Sequence, residues 1–200
     1  MKHQKTLSNK DGHMALLSRL RFTTTNAWQH RKALHAANQQ RIDSVNDLNF
    51  EELKAEGIKT FIFDYDGVLV SHGEVKLAPE IENTLHSAIK TFGVNHVFIL
   101  SNNVFKERLR YFDDRFPGLK FVGGKRKKPY PDGLQEILQI TQNRPEEALL
   151  VDDRLLTGGL ACCITGVKFL LLTYPLINFK RRFLRNCFFQ ILRKVERWIL

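Results

Sequence analysis

No stretch of the 200 residues reaches the roughly 18 consecutive apolar side chains that a membrane-spanning helix requires, so a chain that crosses a bilayer is not expected. Cysteine is scarce. The chain has three, two of them adjacent at Cys162 and Cys163, which gives neither an even disulfide framework nor a spaced metal-ligating cluster. The adjacent pair reads as small apolar packing groups, and a reducing intracellular setting, cytoplasmic or peripheral on the inner face of a membrane, is the simplest one. Acidic residues are nearly missing from positions 1–42, where Asp11 stands alone. The apolar run Met14-Ala15-Leu16-Leu17 is too short for a secretory signal, although the acid-poor pattern around it also suits an organelle transit peptide. No internal repeat is visible.

What is present suffices for one compact domain with appendages. Hydrophobic residues make up 43% of the chain and include fifteen Phe, which excludes disorder throughout. The net charge of +10 is uneven: +5 over residues 1–50, −1 over 51–170 and +6 over 171–200. Three units follow: a basic N-terminal extension (1–44), a nearly neutral central domain (45–175) and a basic C-terminal segment (176–200). Basic ends flanking a neutral core point to an anionic surface as partner.

Chemistry concentrates at the ends of apolar runs. Residues 61–70 read Phe-Ile-Phe-Asp-Tyr-Asp-Gly-Val-Leu-Val and set Asp64 and Asp66 one residue apart where a strand ends. Successive strand residues alternate between faces, so the two carboxylates converge just past the strand, and Gly67 allows a sharp turn away. Two acids together at the mouth of a parallel sheet repel each other unless a cation, most naturally a divalent metal, lies between them. A second run closes with Ser101-Asn102-Asn103, groups suited to a phosphoryl oxygen. Four cations, Lys125 to Lys128, precede Pro129, and a third run ends in Asp152-Asp153.

Between these runs the pattern predicts helices over 77–92, 104–116, 131–141 and 155–164, and strands ending near Asp64, at 96–100, 120–122, 148–151 and 168–173. Alternation of this kind implies an α/β fold, a doubly wound parallel sheet covered on both faces in a three-layer, Rossmann-like sandwich. Upstream, residues 50–56 read as a short helix stopped by Gly57, and 27–42 as a helix with Trp28, Leu34 and Ala37 on one side. Residues 1–25 show no sustained period, and Thr23-Thr24-Thr25 reads as a break.

With Asp64, Asp66 and Val68, then Ser101, then Lys128, then Asp152-Asp153, the chain resembles the haloacid dehalogenase superfamily, whose four motifs occur in this order at strand ends. The resemblance covers roughly residues 45–175. It implies a phosphatase in which Asp64 is the nucleophile that forms an aspartyl-phosphate and Asp66 protonates the leaving oxygen and then activates water. Ser101 holds a phosphoryl oxygen and Lys128, placed directly before proline, neutralises developing charge. Asn102 and Asn103 either join Ser101 on the substrate or cap the next helix. The implied cofactor is Mg²⁺, with Asp153 as first choice of ligand beside Asp64 and the Asp66 carbonyl, and Asp152 as second. His72 falls in the flap after the first strand, either against substrate or simply exposed.

About 34 residues separate Asp66 from Ser101, and about 26 separate Ser101 from Lys128, which leaves no room for a cap domain. An open site favours a large or surface-bound substrate. The chain is most similar to the capless subclass that includes phosphatidylglycerophosphate phosphatases, through the lead-in at 51–59, Ser101-Asn102-Asn103 and residues 153–158. It departs from that group at Gly67, Val68, Asp152 and Gly158, the last standing where a second acid is usual. In the tail, Leu184, Cys187, Phe188, Ile191, Leu192, Val195, Trp198 and Ile199 share one helical face, and Arg182, Arg185, Asn186, Arg193 and Arg197 the other, with Phe183 and Phe189 interrupting. Such a helix suits a membrane interface, or its apolar face docks on the sheet domain. A greasy opposite face argues against nucleic acid. Other readings are a phosphatase of soluble esters or phosphoproteins, and a catalytically weak interaction protein.

Overall fold

The computed structural model describes residues 2–177 and 183–199. Strand β2 (Thr60–Asp64) runs through the middle of a six-stranded, all-parallel sheet completed by β1 (Arg41–Ile42), β3 (Val97–Leu100), β4 (Lys120–Val122), β5 (Ala148–Asp152) and β6 (Lys168–Leu172) in the order β1-β6-β5-β2-β3-β4. Strands buried on both faces need unbroken apolar runs, and Phe61-Ile62-Phe63, Val97 to Leu100 and Ala148 to Val151 supply them.

The alternation of strand side chains builds two cores. Phe61, Phe63, Val97, Ile99, Leu149 and Val151 meet α3 (Phe50–Ala55), α4 (Pro79–Phe92) and α5 (Lys106–Arg115) on one face. Ile62, Phe98, Leu100 and Leu150 meet α6 (Asp132–Thr141) and α7 (Leu160–Thr165) on the other. From β2 the chain winds out to β3 and β4 and returns beside β2 as β5. The C-terminal ends of β2 and β5 therefore flank the crevice where such sheets place their sites.

The N-terminal region departs from its expected form. A single helix, α1 (Lys2–Gln29), runs through the residues that show no apolar period. The Thr23 and Thr24 hydroxyls donate back to the carbonyls of Arg19 and Leu20, at 2.8 and 3.1 Å, so the threonines join the helix instead of breaking it. The helix expected over 27–42 is shorter. It is interrupted at His30, continues as α2 (Arg31–Ala37) and gives way to β1, while Leu34 is buried and Trp28 lies exposed under the Arg31 guanidinium. Residues 155–164 are likewise split: a π-helical turn (Leu155–Gly159) precedes α7. The last helix is α8 (Phe183–Ile199). Residues 178–182, Arg182 among them, and the side chains of Phe183, Leu184, Arg185, Asn186, Phe189, Arg197 and Ile199 lie outside the described residues.

Candidate active site

At the ends of β2 and β5 three buried carboxylates, Asp64, Asp152 and Asp153, each place an oxygen within 4.8 Å of the others. Lys128, only 5% exposed, reaches between two of them, its Nζ donating to Asp64 Oδ1 and Asp152 Oδ2 at 2.5 Å each. Burial raises the Asp64 and Asp152 carboxyls above the usual range, and the neighbouring acids add to this against the pull of Lys128. Burial acts to lower Lys128, but Asp152 and Asp64 outweigh it and keep the amine charged. Gly67, at φ +101°, turns the chain off β2, and a Cβ there would lie 2.5 Å from Asp153 Oδ2. At Gly158 a Cβ would lie 2.2 Å from Asp152 Oδ2, so the Asp152 carboxylate fills the space that a side chain at 158 would need.

Asp66 stands apart from this acid cluster. Its carboxylate sits in a bidentate fork from Arg108 of α5, at 2.6 and 2.9 Å, and also accepts the Gly73 amide at 3.2 Å. Arg108 is buried, with its guanidinium over the rings of Tyr65 (4.0 Å) and Phe105 (4.3 Å). Burial pushes Asp66 upward, but the hydrogen bonds and charge of Arg108 overcome that and hold it below the ordinary carboxylate range. The first-motif acids thus have opposite environments, one raised and one lowered.

The Ser101 hydroxyl closes β3 by accepting the Asn103 amide at 3.1 Å, while Asn102 accepts the Lys128 amide at 2.7 Å and so fastens the lysine loop to the sheet. Of the four clustered cations, Lys128 alone reaches the acids. Arg126 pairs with Asp132 and lies over Tyr130, and Lys127 reaches Asn103 Oδ1. These groups line a cavity of about 240 Å³, with Asp64, Asp66, Asp152 and Asp153 on its wall together with Arg19, Lys127 and Arg154. His72 joins that lining, its Nδ1 4.0 Å from Asp66 Oδ1.

Two helices outside the sheet reach this cavity. From α1, Arg19 donates to the Lys128 carbonyl, and Phe22 packs on Tyr130 with ring centroids 4.3 Å apart. From α8, Arg193 forms an ion pair with Asp153, and Glu196 pairs with Arg154 and accepts the Leu156 amide at 3.3 Å. The charged face of α8 is therefore the one that docks, contrary to the expectation that any docking would be through its apolar face, because Arg193 and Glu196 find buried partners of opposite sign there.

Residues 13–158 match the family model described as haloacid dehalogenase-like hydrolase. The chain belongs to the haloacid dehalogenase-like hydrolase family. Among solved structures it is similar to an uncharacterized protein from Corynebacterium glutamicum ATCC 13032 Kitasato (20% identity, TM-score 0.43, 68% of this chain and 95% of that one). It is also similar to a HAD family hydrolase from Deinococcus radiodurans R1 with bound phosphate and sodium (17%, TM-score 0.40, 61% and 85%) and to a putative 3-deoxy-D-manno-octulosonate 8-phosphate phosphatase from Vibrio cholerae (14%, TM-score 0.39, 72% and 89%). Among curated proteins no relative matches the chain.

The donors of this hydrolase fit a metal ion. Asp64, Asp152 and Asp153 offer an all-oxygen set suited to a hard divalent cation, and their crowding leaves more negative charge than Lys128 can balance. The Asp66 carboxylate, held by Arg108, does not enter the set. Arg19, Arg108 and Arg193 had no functional signal of their own in the sequence; the one hint is Glu196, the sole acid among residues 171–200.

Proposed function

We propose that this hydrolase is a Mg²⁺-dependent phosphomonoesterase that works through an aspartyl-phosphate on Asp64 and acts on a membrane-surface substrate such as phosphatidylglycerophosphate. The observation that carries the reading is the Asp64 carboxylate on the cavity lining, bonded to Lys128 beside Asp152 and Asp153. Asp64, Asp152 and Asp153 would hold the ion. Bound there, it supplies positive charge to the phosphoryl oxygens of the substrate.

Asp64 attacks phosphorus, and the leaving oxygen departs with a proton as the alcohol. Lys128 balances the charge that builds on the transferring group. Water then attacks the acyl-phosphate, and Asp66, kept ionised by Arg108, is in the right state to take its proton. For the first half-reaction the same carboxyl has to carry a proton, which the fork opposes, so the Arg108 contact has to loosen between the two halves. Asn102 fixes the Lys128 loop, and Lys127 and Arg19 lend positive charge to the cavity lining for an anionic substrate.

Support for a surface-bound substrate comes from exposed apolar side chains on the two helices that reach the cavity: Met14, Leu16, Leu17 and Leu20 of α1, and Ile191, Val195 and Trp198 of α8. The test is phosphate release from lipid, sugar, nucleotide and peptide phosphates, with and without Mg²⁺, by the full chain and by Asp64→Asn. Hydrolysis of the lipid ester in preference to soluble esters, only with Mg²⁺, is expected. The variant should fall below about a tenth of wild-type turnover, since removal of a nucleophile costs orders of magnitude; retention of more would remove Asp64 from that role.

A further inference from the structure

Helix α8 is amphipathic in the opposite sense from a surface helix of a globular domain. Arg193 and Glu196, each 2% exposed, point inward, whereas Ile191, Val195 and Trp198 point outward, Trp198 at 87% exposure. Charged side chains are seldom buried unless paired, and here both are paired at the site: Arg193 with Asp153, and Glu196 with Arg154. Arg193 Nη2 also lies 3.2 Å from His72 Nε2. The approach to α8 is fastened at the same place, where the Leu176 amide donates to the Gly67 carbonyl at 2.8 Å.

The docking is incomplete. Arg193 Nε and Nη1 are buried with no hydrogen-bond partner among the described residues, and Asp153 Oδ2 meets Arg193 as a charge without the geometry of a hydrogen bond. Unsatisfied buried donors disfavour the docked state, and so does the apolar face left in water. Charge explains why the helix nevertheless sits there. Three buried carboxylates face Lys128 and Arg193; withdrawal of α8 takes Arg193 from Asp153 and Glu196 from Arg154, so Asp153 loses its direct partner and its oxygen is open to a divalent cation.

We propose that α8 is a plug released by membranes: an anionic bilayer takes up its apolar face, Arg193 leaves Asp153, and a divalent cation replaces the guanidinium in the acid cluster. The proposal rests on the reading of Asp64, Asp152 and Asp153 as the cation site. An anionic bilayer is the occupant because the outward face combines aliphatic side chains with a terminal tryptophan, while residues 171–200 carry seven basic residues and one acid. That one acid, Glu196, is turned inward, away from the lipid. Helix α1 reaches the same cavity through Arg19 and presents Met14, Leu16, Leu17 and Leu20 to solvent, so a second apolar contact lies on an element at the same site.

The experiment uses the full chain with Trp28→Phe, which leaves Trp198 as the sole tryptophan. Mg²⁺ binding is measured by calorimetry with and without phosphatidylglycerol-containing vesicles, beside the emission of Trp198. Vesicles should shift that emission to the blue and tighten Mg²⁺ binding by about tenfold, a typical coupling between two sites. Arg193→Gln should bind Mg²⁺ as tightly without vesicles as the parent does with them. Glu196→Gln, which loosens α8 without touching Asp153, should lie between. Mg²⁺ binding that is equal in the parent and both variants would overturn the plug while leaving the cation site intact. Mg²⁺ binding by Arg193→Gln that survives Asp153→Asn with Asp152→Asn would instead overturn the underlying site. Unchanged Trp198 emission on vesicles, or self-association of the chain through this face, would overturn the bilayer as occupant.

Discussion

Replacing Lys128 with Met removes the cation that bridges Asp64 and Asp152, and the structure sets the size and pH dependence of the effect. The ammonium is nearly fully buried and donates to two carboxylates at 2.5 Å. Removing one partner from a buried ionic cluster costs about 3–5 kcal/mol, which for a chain of this size lowers Tm by roughly 6–20 °C. The carboxyls left behind relieve part of the loss by taking up protons. Asp64 and Asp152 already titrate above the unfolded aspartate value of about 3.9 because of burial, and loss of Lys128 raises them further. A raised folded pKa means that each acid favours the fold most below about pH 3.9, and that this contribution is lost as pH rises through the folded value. The deficit of Lys128→Met against wild type should therefore widen between about pH 5 and pH 8. Urea unfolding of both proteins at the two pH values, without divalent ions, measures it. A deficit under about 1 kcal/mol at the higher pH, or one that shrinks as pH rises, would refute the view of Lys128 as the counter-charge of a buried acid cluster.

Arg108→Leu keeps an apolar body under Tyr65 but removes the fork on Asp66, so the acidic limb of the pH dependence of kcat/KM should move to higher pH as Asp66 loses its depressed pKa. An unmoved limb would show that Asp66 is not the titrating base. The same loss should make the variant less stable than wild type at neutral pH and bring the two together as pH falls through the depressed folded value of Asp66, a difference that chemical unfolding reads directly. Gly158→Ala forces a Cβ against the Asp152 carboxylate and should cost about 1–3 kcal/mol of unfolding free energy while weakening divalent binding by calorimetry. Wild-type values for both would mean that the turn yields without disturbing Asp152.

The α/β layout was legible because strands buried on both faces advertise themselves as apolar runs; β4 falls on residues 120–122 as the pattern predicts, and α6 and β5 end within a residue or so of expectation. Residues 2–29 were not legible, because their sequence shows no sustained apolar period, and contacts such as Phe22 on Tyr130 follow none. Strand β1 is two residues long and leaves no periodic trace. At the site, the acids and Lys128 could be read because their spacing at strand ends carries meaning; Asp64, Asp152, Asp153 and Lys128 come together, whereas the Asp66 carboxylate turns away to Arg108. Arg108 could not, since an arginine on a charged helix reads as solvated; only the fold brings it to Asp66, 42 positions earlier. For α8, periodicity separates an apolar from a basic face but carries no information on which face has a better partner.

The pairing of β1 with β6 has a consequence for the N-terminal region. Strand β6 is Lys-Phe-Leu-Leu-Leu, an apolar ribbon that would be the open margin of the sheet without β1. Gln40 and Ile42 accept the amides of Leu171 and Thr173, at 2.8 and 2.7 Å, so two short residues of β1 and their neighbours quench the donors through which a second molecule could add a strand. Proteolytic trimming that stops before Gln40 would keep this guard in place, whereas trimming beyond Ile42 would convert a satisfied margin into a template for aggregation.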